Sequence, residues 1–251
     1  MRALIFASPF LALALWGVAS NAFGNNDGDN ASDRPAAVGP AATRSFAVGS
    51  FNAVSLDGSD NVRVIRGPAM SVTATGSKRV LDLLDIRVER NTLKIDRKSG
   101  RMSWSWDSDG GAVITVTMPV ITAASVSGSG DMIVDRADGD SFSAAVQGSG
   151  NLKIVSVSVT RAQLAAEGSG SLTIAGTATD TAMAAEGSGN INARGLASNQ
   201  ATIAADGSGD VDATVRGRAT IAVNGSGNVD IAGTDNCTIV KEGSGDARCS
   251  R

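Results

Sequence analysis

Gly-Ser-Gly recurs seven times in this chain, beginning at Gly128, Gly148, Gly168, Gly187, Gly207, Gly225 and Gly243. The intervals are 20, 20, 19, 20, 18 and 18 residues, a structural period rather than low-complexity drift. A unit of that length carries too few apolar side chains to enclose a core of its own. It must share one with its neighbours, and stacking like units along an axis is the simplest way to do so.

The residues around each triplet say what the unit is. Positions four and two before the first Gly are Ala124 and Val126, Leu164 and Ala166, Ile203 and Ala205, and so on to Ile239 and Lys241. Positions four and six after it are Met132 and Val134, Leu152 and Ile154, Leu172 and Ile174, ending at Ala247 and Cys249. Between them stand mainly Thr, Ser, Asp, Asn and Lys. Alternation at every second residue marks a strand with one face buried. Each repeat therefore reads as two short strands joined at a sharp Gly-Ser-Gly corner, with equivalent strands pairing in parallel about 4.8 Å apart. The expected fold is all-β, a parallel β-solenoid of about 18–20 residues per coil. The middle serines would form a ladder of exposed hydroxyls. The chain has no His to activate any of them as a nucleophile.

Around the repeats the sequence divides further. Residues 1–22 read as a secretory signal peptide: Arg2, an apolar run from Leu4 to Val18, and the small-x-small site Ser20-Asn21-Ala22. Residues 23–44, rich in Asn, Asp, Gly, Ala and Pro without periodicity, read as a disordered leader. The solenoid is expected over 45–251, irregular over 45–122 and regular over 123–251. In the irregular part, Phe51, Val54 and Leu56 precede Gly58-Ser59-Asp60, with Val62 and Val64 after it, a degenerate repeat. Val72 and Ala74 before Gly76 look like half of another. Val80, Leu81 and Leu84 suggest a helical turn, and Ile86, Val88, Leu93 and Ile95 two strand pieces about Arg90-Asn91-Thr92. These units would cap one end of the stack, where an open strand edge would otherwise recruit another chain.

Composition limits the function. Cleavage after residue 22 removes Arg2, leaving 21 basic against 25 acidic side chains, and no Lys/Arg run is sustained, which argues against nucleic acid as a partner. No later segment is long and apolar enough to span a bilayer, so no transmembrane segment is expected after cleavage. Cys237 and Cys249 occupy inward offsets of the final coil and are expected to form a disulfide that fastens it. Met102, Trp104 and Trp106 alternate with serines. They read as cover for the core end, or as an aromatic strip able to stack on a partner or a sugar. Stacking would bring Glu167, Glu186 and Asp206 onto one edge with Asp210 nearby, a set of oxygens that could take Ca²⁺, although an exposed polar ladder is the default reading and no cofactor is otherwise implied. Asn and Asp just after each triplet read as turn formers or as a cross-coil amide ladder.

Several of these segments resemble the bacterial auto-transporter adhesin head family, the GIN domain. They are Phe51-x-x-Val54-x-Leu56, Val88-Glu89, Leu93-x-Ile95, Thr117-Met118-Pro119, and Val126-Ser127-Gly128-Ser129-Gly130-Asp131. The resemblance spans about Ser45 to Cys249. It implies a right-handed β-helix, export to the periplasm, cell surface or medium, and no catalytic residues to transfer. The function expected is an exported, non-enzymatic, adhesin-like module presenting a polar face to an envelope glycan or cell-surface protein. The alternative is a carbohydrate-active enzyme, a lyase or hydrolase, using paired carboxylates such as Glu167 and Glu186. Homotypic association through a coil edge is a third possibility.

Overall fold

The structure, a computed structural model, describes residues 41–98 and 111–251. It is a parallel β-solenoid. Long strands β9 (Met132–Gly148), β10 (Asn151–Gly168), β11 (Ser171–Gly187), β12 (Asn190–Gly207) and β13 (Val211–Gly225) each trace nearly a whole coil. They pair in parallel in that order, and every triplet lies beside the next: Gly148 against Gly168, Gly168 against Gly187, Gly187 against Gly207. The last coil is split into β14 (Val229–Ala232), β15 (Cys237–Gly243) and β16 (Ala247–Ser250).

Backbone geometry explains why the corner sequence repeats. The first Gly of each triplet has a positive φ, from 81° at Gly187 to 123° at Gly225, a conformation that L side chains rarely adopt. At Gly128, Gly148, Gly187, Gly207 and Gly225 its carbonyl accepts the N–H groups of the second and third triplet residues one coil on, and at Gly168 that of Ser188 alone: Gly128 O takes Ser149 N at 2.8 Å and Gly150 N at 2.9 Å. Backbones this close leave no room for a side chain. A Cβ on Gly150 would stand 2.9 Å from Val126 Cγ1 and nearer still to the carbonyl oxygen of Gly130.

Differences in coil length are absorbed elsewhere. Register shifts fall between Ile154 and Val157, Thr173 and Ala175, Ala193 and Ala197, and Ser198 and Gln200, at the far side of each coil. The triplet corner stays in step while the opposite corner gains or loses residues.

The inward columns form the core. Met132, Leu152, Leu172, Ile191, Val211 and Val229 are stacked and buried, as are Val134, Ile154, Ile174, Ala193, Ala213 and Ile231. Each fully buried Val, Leu or Ile contributes about 1.5–3 kcal/mol. Thr181 and Ser198, both buried, satisfy each other through a 2.7 Å hydroxyl contact.

The N-terminal part departs from simple coiling. β2 (Ala53–Gly58) and β3 (Asn61–Arg66) form a true coil about Gly58-Ser59-Asp60, and β2 stacks directly on β8 (Ala123–Gly128). The intervening chain folds back beneath that coil. β6 (Thr92–Arg97) and β7 (Val113–Met118) add parallel to β2 and β3. β4 (Ser71–Ser77), β1 (Ala41–Phe46) and β5 (Leu84–Glu89) then add antiparallel. Helix α1 (Lys78–Leu83), capped by the Ser77 hydroxyl accepting Val80 N–H, carries the chain from β4 to β5. Two sequence expectations are corrected here. Val72 and Ala74 do face inward, but β4 runs antiparallel and Gly76 is not a corner, because alternation specifies the face of a strand and not its direction. Strand β1 begins at Ala41, so residues 41–44 of the expected leader are strand; their side chains, mostly exposed, carry no alternation signal.

Candidate functional site

A solenoid of this kind offers two outer walls, and they differ in chemistry. On the wall that follows each triplet, the first position is Asn61, Asp131, Asn151, Ser171, Asn190, Asp210, Asn228 and Asp246 from coil to coil. Except at Asn151 and Ser171, their side-chain oxygens accept the backbone N–H of the equivalent residue one coil on: Asn190 to Asp210 at 2.9 Å, Asp210 to Asn228 at 2.9 Å, Asn228 to Asp246 at 3.2 Å. The amide ladder expected from the sequence is present, and it places Asp210 within this column. Further along the wall Arg194 gathers two acids. Arg194 bridges Asp212 at 2.7 Å and Asp230 at 3.0 Å, and those bonds hold its guanidinium pKa above the usual arginine value.

The wall that precedes each triplet is flatter and barer. Its outward columns are Ser143, Gln163, Ala182, Thr202 and Thr220, then Ala145, Ala165, Ala184, Ala204 and Ala222, then Gln147, Glu167, Glu186, Asp206 and Asn224, each in coil-to-coil register. Small side chains leave a shallow depression of about 320 Å³ over Gln163, Ala165, Ala182, Ala184, Thr202 and Ala204. Glu167 accepts a 3.1 Å bond from Gln147, and no Lys or Arg among the described residues pairs with Glu167, Glu186 or Asp206.

The structure thus brings Glu167, Glu186 and Asp206 together as expected and separates Asp210 from them by the width of the corner. No group of three or more His, Cys, Asp or Glu side chains among the described residues converges as metal ligands would. Glu167 and Glu186 are strand neighbours on an open, exposed column, not carboxylates facing each other across a cleft. Cys237 and Cys249 are joined in a disulfide. Trp104 and Trp106, like the signal-peptide segment, lie outside the described residues. Among the described residues, no helix is long and apolar enough to cross a membrane. The Ala column escaped the sequence reading, because alanine scores as apolar wherever it points; its recurrence three residues before five of the seven triplets, from Ala145 to Ala222, was the available signal.

This architecture is found elsewhere. A "putative adhesin" from Bacteroides fragilis superimposes with a TM-score of 0.76 at 22% identity, covering 84% of this chain and 97% of that one. A "putative lipid binding protein" from Parabacteroides distasonis gives 0.66 at 20%, covering 85% and 97%. A "putative adhesin" from Parabacteroides merdae gives 0.61 at 18%, with the same coverage. Solenoids of one plan therefore recur among proteins with little sequence in common. No curated protein matches the chain. Residues 50–235 match the family described as "Putative auto-transporter adhesin, head GIN domain", and the chain belongs to that family.

Proposed function

We propose that this protein is an exported, non-enzymatic, adhesin-like module that holds an envelope glycan against the wall preceding the triplets. The observation that carries this reading is the three-column face itself: Ser, Gln and Thr hydroxyls and amides at one side, a floor of Ala, and Gln, Glu and Asp at the other, continued coil after coil. A saccharide chain offers apolar ring faces and hydroxyls at regular intervals, which suit an Ala floor flanked by hydrogen-bonding groups. Family membership and adhesin-named structures of the same fold support a binding role. Export through the N-terminal signal segment would deliver the module to the periplasm or the cell surface.

The test is retention of the purified chain on an array of envelope glycans, beside a pull-down of cell-surface proteins. Ala184→Arg and Thr202→Arg place bulk on the face without touching the core, and each should abolish glycan retention while leaving the unfolding midpoint in place. Binding to a cell-surface protein alone would replace the glycan reading. Retention of neither, or retention indifferent to both substitutions, would end it.

A further inference from the structure

The wall that precedes the triplets begins at a corner, and in β13 that corner is longer than in the strands stacked before it. β10, β11 and β12 pass it with two exposed residues between buried ones: Thr160-Arg161, Thr179-Asp180 and Asn199-Gln200. β13 takes three, Arg216-Gly217-Arg218, between buried Val215 and Ala219. The extra residue accounts for the register shift between the pairs Ser198–Val215 and Gln200–Arg218. An added residue in an otherwise regular ladder re-aims the side chains beside it. Here it puts two guanidinium groups on the outside of one corner.

The backbone of that corner is pinned. Gly217 O accepts the hydroxyl of buried Thr234 at 2.6 Å, and the same hydroxyl oxygen accepts Asn236 N–H at 3.1 Å. A Cβ on Gly217 would stand 2.5 Å from Asn199 O, so only glycine fits between the two arginines. Arg218 lines a depression of about 390 Å³ with Asn199, Gln200, Gly217 and Asn236. Among the described residues, nothing engages the side-chain amides of Asn199, Gln200 and Asn236 or the guanidinium groups of Arg216 and Arg218, and Asp235, the acid next to Asn236 in sequence, is held by Arg251 at 2.8 Å. Two cations on a fixed backbone and three carboxamides, with no carboxylate lining the depression, make a donor-rich site for an oxyanion.

We infer that Arg216 and Arg218 receive an anionic substituent, a carboxylate or a phosphate, of the glycan held on the neighbouring wall, so that the ligand is an acidic saccharide; this rests on the glycan reading above. The strands carry the site onto the wall without a break. Arg218 is followed at outward positions by Thr220, Ala222 and Asn224, and Gln200 by Thr202, Ala204 and Asp206. A saccharide lying on the Ala floor therefore reaches the depression along the strand direction. Asp206, at the opposite margin, is six residues from Gln200, about 20 Å of extended strand, which is too far to neutralise the arginines through physiological salt. The acidic column excludes an anion from its own margin while the arginines attract one to theirs. Together they set the direction in which an acidic saccharide crosses the wall.

Binding of the whole chain to three oligosaccharides of one length tests this: an unsulfated hexosamine–uronic acid oligomer, its carboxyl-reduced neutral form, and that neutral form phosphorylated. At low salt at least one acidic form should bind about tenfold more tightly than the neutral one, the effect of two solvent-exposed ion pairs. The tighter of the two acidic forms identifies the anion. Combining Arg216→Gln with Arg218→Gln should close that gap, as should added salt, with binding of the neutral form and the thermal unfolding midpoint unchanged. Lys153→Gln, which removes an exposed cation from the other wall, should leave the gap in place. Ala184→Arg should abolish binding of all three. Equal binding of the three, a gap that survives the double substitution, or a gap that Lys153→Gln closes as well, would overturn the proposal and leave the glycan wall standing. Binding of none of them would end both.

Discussion

Arg97 grips the carboxylate of Asp60 with two bonds, Nε at 3.0 Å and Nη2 at 2.8 Å, while the same carboxylate accepts the N–H of Ala112 at 2.8 Å. Asp60 is 1% exposed and stands where the seven later corners have their second Gly. Only at the first corner can that position hold a side chain, because elsewhere another triplet lies against it. The carboxylate ties the first coil to β6 and to the chain entering β7. Arg97 has its pKa raised chiefly by this hydrogen bond.

It follows that Asp60→Gly, which would make the first corner match the repeat, should destabilise the protein. The substitution removes one partner of a largely buried pair and leaves Ala112 N–H unmet. Because Arg97 retains some access to water, the expected loss is about 2 kcal/mol, below the figure for a fully buried pair. Urea unfolding of Asp60→Gly against Arg97→Met and the double variant would measure the coupling. Independent, additive effects would contradict it.

Within the triplets the prediction is an asymmetry between neighbours. Gly150→Ala drives a methyl group into the carbonyl of Gly130 and should cost more than about 3 kcal/mol, or prevent folding. Ser149→Ala, at the exposed centre of the same corner, should change stability by no more than about 0.5 kcal/mol. Thermal unfolding of the pair would decide whether the repeat is kept for its glycines or for its hydroxyl.

The regular coils were legible in the sequence because one physical requirement, a backbone corner with no room for Cβ, recurs at fixed spacing and sets the phase for every alternating residue around it. The degenerate corner at Gly58 was found by the same offsets. What could not be read was that Gly58 and Gly128, 70 positions apart, are immediate neighbours in the stack. The chain between them obeys alternation, but nothing local tells β4 to run antiparallel. The β5–β6 turn also lacks the Gly that usually marks it: Arg90 and Asn91 take φ of 46° and 67° themselves. For the candidate site, the acidic column was visible as a pattern and the Ala floor was not, because burial and exposure are properties of the wall and not of alanine.

Acid should loosen the N-terminal cap before the coils. Asp82 has its pKa lowered mainly by the hydrogen bond from Arg44, and Glu89 by that from Arg87. A carboxyl whose folded pKa lies below its unfolded one adds stability above the ordinary range of about 4, and that contribution disappears as pH falls through the lowered value. Hydrogen exchange in β1 and β5 should therefore accelerate between about pH 4 and pH 2 while β10–β12 remain protected. Arg44→Met should remove the pH step in β1. An unchanged step would mean another group carries it.

The disulfide should act locally. Cys237 and Cys249 link β15 to β16 across the last coil, 12 positions apart in sequence. Cys249→Ser should lower stability by about 2–4 kcal/mol if unfolding is cooperative along the stack. If the coils behave as nearest-neighbour units, the loss shows instead as fraying of β14 to β16 with the middle coils intact. Limited proteolysis of the oxidised and reduced protein separates these, with early cleavage after Lys241 or Arg248 marking the local case. No difference between the two forms would mean that the bond does not hold the end coil.

The Asn/Asp ladder has one gap, and filling it tests whether the ladder contributes stability. Asn151 hands a bond to no one at Ser171, and Ser171 passes none to Asn190, whose N–H goes instead to Gly170 O at 3.1 Å. Elsewhere in the column Asn and Asp alternate, so two carboxylates are never adjacent; in the other wall's column, Glu167, Glu186 and Asp206 stand side by side. Alternation fits a column whose side chains bond to one another's backbones at short range, where like charges would cost about as much as a good cross-strand pair gains. Ser171→Asn should therefore raise stability by about 0.5–1 kcal/mol, and Asn228→Asp, which would set three carboxylates in a row from Asp210 to Asp246, should lower it by a similar amount, less so at high salt. Thermal melts at two salt concentrations measure both. A neutral Ser171→Asn would reduce the ladder to a by-product of turn formation.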